Sequence, residues 1–308
     1  MFMFTMYKVK EVEEIEINKK MEVEVMKFMG YTRNDGKVGI RNHVLVLATS
    51  VCSNKVAEEI ANKVVGCTHI NNTFGCCQIG SDARLTNKTV INTALNGNVG
   101  AVVVGLGCEG TEPDYVAKEI AKSGKPVETV VIQKEGGTLK AFAKVGEDIR
   151  GGQPTPGNIE GGLTSIEEKS LGCIHKAGHA PITGVLNYAD IPDKKGLYIM
   201  DTPGQDIESI TGMVAGGAQI VVFTTGRGTP TGNPIAPVIK LTGNQGTFDK
   251  MSDNIDLNVS QIISGEKSIN EMGNVLFEEI ISVSNGKTTK AEELGHKEFC
   301  IYETAPTF

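Results

Sequence analysis

Apolar residues recur along this chain in two rhythms, and their alternation sets the reading of the fold. Val44 to Ala48, Gly100 to Leu106, Val127 to Gln133, Leu197 to Met200 and Ile220 to Phe223 are short apolar runs rich in β-branched residues, the type that fills strands buried on both faces. A shorter strand is predicted at Ala236 to Leu241. Between these runs, spacings of three and four place Val56, Ile60 and Val64 on one helix, Val116, Ile120 and Ala121 on a second, and Phe142 and Val145 on a third. Further helices are expected from about Ile207 to Ala215 and from about Met272 to Val283, the latter ending near Asn285-Gly286. Ser53 or Asn54 is suited to cap the first helix and Pro113-Asp114 to start the second. Strands and helices alternating over short links predict an α/β protein with mostly parallel sheets and right-handed crossovers.

Two places break the rhythm. From Tyr7 to Phe28 apolar residues alternate with charged ones on both sides of Asn18-Lys19-Lys20, which reads as a β-hairpin with one wet face or as a charged arm. At Gly151 to Gly157 all periodicity stops. The expected organisation is therefore an N-terminal β-hairpin extension over residues 1–29, a first α/β domain over 30–152, and a second over 153–308 that carries a glycine-rich loop.

Composition narrows the function. The 308 residues carry a net charge of −7, which argues against nucleic acid or an anionic membrane as the main partner. No apolar run has the length of a membrane span, and no signal-peptide pattern opens the chain. Seven scattered cysteines without a C-x-x-C pair point to reduced thiols and a cytoplasmic location.

The candidate chemistry lies at strand ends, where loops in an open α/β sheet diverge into a crevice. Cys52-Ser53-Asn54, Cys108-Glu109, Asp201-Thr202 and Thr224-Thr225-Gly226-Arg227 all follow predicted strands. In Gly226-Arg227-Gly228, glycine lets the backbone approach an anion that a guanidinium can pair; the other reading is a tight loop needing glycine only for its angles. His69, Cys76, Cys77 and Gln78 gather imidazole, thiols and a carboxamide in a segment without periodicity, so a divalent metal is one reading and buried small hydrophobes the other. Cys67 and Cys300 read as structural. His175 and His179 have a helical metal-pair spacing, but Gly172, Gly178 and Pro181 oppose a helix there. Lys169, in a glycine-rich loop, is a candidate base, with an ion pair to Glu167 or Glu168 as the alternative.

GYTRNDGKVGIRN, GCCQIG, GLGCE, PTPGNIEGGLTSIEEKSLG, MDTPG, FTTGRGTPTGNPIAPVIKLTGN and MSDNIDLN, in that order, resemble the altronate and galactarate dehydratase family, to which sulfolactate sulfo-lyase large subunits are also similar. The resemblance implies a lyase that dehydrates a sugar acid to a 2-keto-3-deoxy acid by α-proton abstraction and β-elimination, with a divalent metal, Fe²⁺ or Mn²⁺. It implies Lys169, His69 and Glu109 as catalytic residues. His69, Cys76, Gln78 and Cys108 would lie at the metal, and Arg41, Asn42, Thr225, Arg227, Lys240 and Asn244 against the substrate. A small β-rich family subunit is an expected partner, and self-association is expected to cover an apolar surface. The family's middle segment, with its Cys-Gly-Gly-Ser-Asp motif, is missing here, where Arg150-Gly151-Gly152-Gln153 runs directly into Pro154. The alternatives are a sulfo-lyase-like subunit, or a catalytically silent relative that binds acid ligands or serves in an assembly.

Overall fold

The computed structural model describes residues 2–4, 30–63, 66–105, 109–131 and 180–303. Its largest sheet has four strands, β4 (His43–Ala48), β5 (Cys67–Ile70), β6 (Val99–Gly105) and β7 (Val127–Val131), in the order β5-β4-β6-β7 and all parallel. Helix α1 (Asn54–Lys63) connects β4 to β5, α2 (Gly80–Ala94) connects β5 to β6, and α3 (Pro113–Ala121) connects β6 to β7. Val46 and Ala48 pack with Ala57 and Ala61 of α1 on one face of the sheet. Leu45, Leu47 and Ile70 pack with Val90 and Ala94 of α2 and Val116 and Ile120 of α3 on the other. The chain therefore reverses its winding between β4 and β6, and the loops that follow those two strands open a crevice.

Parallel pairing also builds the second half. Strands β10 (Val221–Thr224), β11 (Val238–Thr242) and β12 (Leu257–Asn258) form one sheet, and β8 (Ile182–Leu186) pairs in parallel with β9 (Leu197–Met200) in another. Short β1 (Phe2–Phe4) lies antiparallel against β9, and β2 (Tyr31–Thr32) against β3 (Val38–Gly39). The remaining helices are α4 (Asp206–Ala215), α5 (Gln245–Lys250), α6 (Gln261–Ser264), α7 (Ile269–Ser284) and α8 (Lys290–Glu293).

The α/β class and the mostly parallel sheets agree with the sequence reading. The hairpin expected at 7–28, the helix through Phe142 and Val145 and the boundary at 152–153 lie outside the described residues. Several elements were not anticipated, β5 and α2 among them. Thr86, Thr89 and Thr93 fill buried positions of α2, and the Thr93 hydroxyl donates to the Thr89 carbonyl at 2.7 Å, so threonine packs where apolar periodicity was sought. The start of α1 also differs. Neither Ser53 nor Asn54 caps it, because Ser50 heads a 3₁₀ turn over Val51–Ser53 that runs into the helix.

The halves share one core. Leu45, Ile70, Val90 and Val116 belong to the same buried cluster as Tyr188, Ile210, Val214, Phe223, Ile235 and Ile301. Two buried asparagines seal the seam. Asn98 Oδ1 accepts the backbone N–H groups of Ile40 and Arg41, while its Nδ2 donates to the carbonyls of Gln219 and Ile235. Asn96 Nδ2 donates to the carbonyls of Val214 and Ala218, the C-terminal end of α4. A buried amide that satisfies several backbone groups at once fixes the relative placement of the elements it joins.

Candidate functional site

The crevice between β4 and β6 is built from the turns that follow them. Thr49, directly after β4, is fully buried and donates its hydroxyl to Glu109 Oε1 at 2.7 Å, so the two sides of the winding reversal are joined by a buried side-chain hydrogen bond. The loop after β5 closes over them. Phe74 accepts from the Val51 N–H, Gly75 accepts from the Thr111 N–H, and Asn72 Nδ2 donates to the Thr49 carbonyl. Gly75 has φ +92, and a Cβ there would sit 1.8 Å from the Thr49 oxygen, so only glycine permits this approach. Asn54 is spent on the same loop, exchanging hydrogen bonds with the backbone of Asn72.

This geometry presents Cys76 and Cys77 at the rim, their sulfurs 3.8 Å apart, with Cys77 in the left-handed region at φ 60. The Gln78 carboxamide is engaged on both sides, accepting from the Gly75 N–H and donating to Glu303 at 2.7 Å. His69 lies on β5 in register with Val46, hence on the α1 side of the sheet. Burial lowers its pKa, with Lys297 adding to the effect, and its Nδ1 has no hydrogen-bond partner. Among the described residues no three His, Cys, Asp or Glu side chains group as a metal holder. His69 and Cys76 therefore belong to no such group among the described residues. Cys108 and Lys169 lie outside the described residues.

Sequence reasoning missed the C-terminal segment, which runs along this loop. Glu298 accepts from the Gly232 N–H of the glycine-rich loop at 2.8 Å. Cys300 bonds Thr73 and lies 4.0 Å from Glu208 Oε1, and Glu303 meets Gln78. Burial raises the pKa values of Glu208 and Glu303 and that of the Cys300 thiol, which Glu208 raises further. Cys300 is thus part of a polar cluster rather than an apolar filler. No sequence pattern marked these residues, because their contacts join positions 66 to 225 residues apart.

The glycine-rich loop after β10 is anchored by its own polar groups. Thr225 Oγ1 accepts from the Gly228 N–H, and Thr247 Oγ1 donates to the Gly226 carbonyl at 2.8 Å. Gly228 is required by φ +85 and by Met251 beneath it, whereas a Cβ at Gly226 would meet nothing. Arg227 is exposed on this loop. Asn244 caps α5, its Oδ1 accepting from the Thr247 N–H. Lys240, in β11, is fully buried, and its Nζ has no hydrogen-bond partner. Burial lowers its pKa while Asp256, Glu298 and Asp253 pull the other way.

Arg41 and Asn42 precede β4, at the opposite end of the sheet from the crevice. The Arg41 guanidinium grips Glu292 at 2.7 and 2.9 Å and donates to the carbonyls of Ile40, Val283 and Lys287. Asn42 Oδ1 accepts from Arg33 at 2.8 Å. Arg41 thus ties the start of β4 to the distant C-terminal helices, while Asn42 bonds its near neighbour Arg33.

A family model described as D-galactarate dehydratase/altronate hydrolase, second domain, matches residues 30–154, and one described as D-galactarate/altronate dehydratase, C-terminal, matches residues 120–307. The chain belongs to the galactarate and altronate dehydratase family. It is 32% identical to the (2R)-sulfolactate sulfo-lyase subunit beta of Chromohalobacter salexigens, covering 92% of this chain and 100% of that protein. It is 26% identical to the altronate dehydratase of Escherichia coli, over 90% of this chain and 78% of that one. Against the galactarate dehydratase (L-threo-forming) of the same organism identity reaches 38%, over 54% of this chain and 32% of the relative. The alignment with the sulfo-lyase subunit runs to 390 positions, more than the 308 residues of this chain, so that relative carries a sizeable segment without a counterpart here. Family members of this kind are dehydratases and lyases. Among the described residues no helix is long and apolar enough to cross a membrane.

Proposed function

We propose that the protein is a lyase that dehydrates a sugar acid such as altronate or galactarate to a 2-keto-3-deoxy acid. The observation that carries this reading is the crevice at the winding reversal, where Thr49 holds Glu109 and the adjoining GCCQIG loop holds Glu303 through Gln78. In the proposed reaction Lys169 removes the proton α to the carboxylate, the bond to the β-hydroxyl breaks, and the resulting enol tautomerises to the keto acid. The departing hydroxyl needs a proton. Glu208 and Glu303, which burial keeps protonated to higher pH, are suited to give it. Arg227, exposed on its loop, is the residue proposed for the substrate carboxylate, with Thr225 shaping that loop. Fe²⁺ or Mn²⁺ would supply Lewis acidity at the enolate; its ligand set is left open, because the described residues do not form one.

A second reading is supported by the 390-position alignment: a chain that binds hydroxy acids but needs another subunit, or is catalytically silent. The deciding experiment incubates iron-loaded protein with altronate, galactarate, related sugar acids and sulfolactate, and measures 2-keto acid and sulfite. Product from a sugar acid supports the dehydratase, and sulfite supports a sulfo-lyase. A folded, metal-supplied sample without product but with a ligand-raised melting point would move the assignment to the silent relative.

A further inference from the structure

Neighbouring thiols stand at the rim of the crevice, and the proposed reaction uses neither as acid or base. Cys76 is half-buried and Cys77 exposed, neither is in a disulfide, and their sulfurs lie 3.8 Å apart. Side chains next to one another in sequence ordinarily part, to opposite faces of a strand or around the circumference of a helix. Here the backbone turns them together. Gly75 (φ +92), Cys77 (φ 60) and Gly80 (φ +59) are all left-handed, and of these Cys77 alone carries a side chain. A left-handed cysteine is disfavoured and persists only where its surroundings impose it. They do so on both sides, since the Gly75 carbonyl accepts from the Thr111 N–H at 2.9 Å and the Gln78 carboxamide is held between the Gly75 N–H and Glu303.

We propose that Cys76 and Cys77 form a site of reversible oxidation, at which a peroxide joins them as a vicinal disulfide. Exposure gives Cys77 the first step. Its thiolate attacks the O–O bond, keeps one oxygen as sulfenic acid and releases the other as water. The Cys76 sulfur, already in contact, then attacks the Cys77 sulfur, forms the S–S bond and expels the second oxygen as water. Two thiols and one hydrogen peroxide thus give one disulfide and two waters, with two electrons passing from sulfur to the peroxide. The bond formed is easily reduced. Consecutive α-carbons are about 3.8 Å apart, short of the roughly 4.4–6.8 Å of relaxed disulfides, so the closed ring is strained, as in labile regulatory bonds. Bringing the sulfurs from contact to bonding distance also turns the backbone at Cys77. Gln78 follows directly, so its contact with Glu303 responds to the redox state of the pair.

The inference does not depend on the lyase reading. The full chain, reduced and then freed of reductant, is treated with one equivalent of hydrogen peroxide, alkylated and mapped by mass spectrometry. The expected product is a peptide in which Cys76 and Cys77 have together lost two hydrogens and no longer take iodoacetamide, while Cys52 still does. Dithiothreitol should restore both. Phenylarsine oxide, which needs two neighbouring thiols, is expected to bind the reduced chain but neither the oxidised chain nor Cys77→Ser, a change at an exposed position that keeps the melting point. In Cys76→Ser, excess peroxide should carry Cys77 on to the sulfinic acid, because the resolving sulfur is gone. Sulfinic acid on Cys77 of the native chain, a bridge from either residue to Cys52 or Cys67, or a pair left as thiols by peroxide would each overturn the proposal.

Discussion

A single methyl group distinguishes glycines that the backbone demands from those it merely contains. Gly75→Ala places a Cβ against the Thr49 carbonyl at a positive φ, and is expected to cost about 2–4 kcal/mol in urea unfolding. Gly226→Ala, which meets open space, should change stability by less than ~0.5 kcal/mol. Lys240 makes the opposite kind of prediction. Its amine is buried without a hydrogen-bond partner, which weakens the fold, so Lys240→Met is expected to hold or raise stability by roughly 1 kcal/mol while lowering affinity for a sugar acid. Equal loss of stability and binding on titration would show Lys240 to be structural only. The sequence singled out Lys240 because it stands in a long motif. Nothing in that motif told burial from exposure, and nothing told the engaged guanidinium of Arg41 from the exposed one of Arg227.

Elements were legible wherever their buried faces were written in aliphatic residues. β4, β6, β9 and α4 lie within a residue or two of where periodicity put them, because Val, Ile and Leu alternate there with turn-forming residues. α2 escaped because threonine and asparagine occupy positions where the pattern demanded Leu or Val; Thr93 bonds the helix backbone and Asn92 the Ala189 carbonyl, while the Thr86 and Thr89 hydroxyls are buried without a hydrogen bond. The seam beside it is accordingly polar and directional. Asn98→Ala would strip partners from four backbone groups, and is expected to cost about 3 kcal/mol or more. Asn98→Asp should also destabilise, since it can accept from Ile40 and Arg41 but cannot donate to the two carbonyls. If chemical denaturation gave both variants native midpoints, the seam would not hold the halves together.

At the scale of the whole molecule, Arg41 and Glu292 connect segments 251 positions apart, at a distance of 2.7 Å. Burial raises the Glu292 pKa, but Arg41 and the Thr289 groups outweigh it and bring it below the ordinary carboxylate range. A lowered carboxyl contributes stability that is present above the unfolded pKa and lost as the folded group takes up its proton. The midpoint of unfolding should therefore fall as pH drops from about 5 toward 3, and Arg41→Met should flatten that fall while lowering stability at neutral pH. Urea midpoints across this range read both effects. Of the candidate crevice, the loop motifs and Glu109 were legible in the sequence. The contribution of Glu208, Cys300 and Glu303 was not, because it exists only once the C-terminal segment has crossed the molecule.

The shared core has a consequence for how this chain comes into being. On the ribosome, β4 to β7 emerge long before Val214, Gln219 and Ile235, so the Asn96 and Asn98 amides and the outer side of α2 wait without their partners while synthesis proceeds. A nascent first half is then an adhesive intermediate rather than a finished domain, and its yield in a cell should depend on chaperone capacity and on the speed at which the second half arrives.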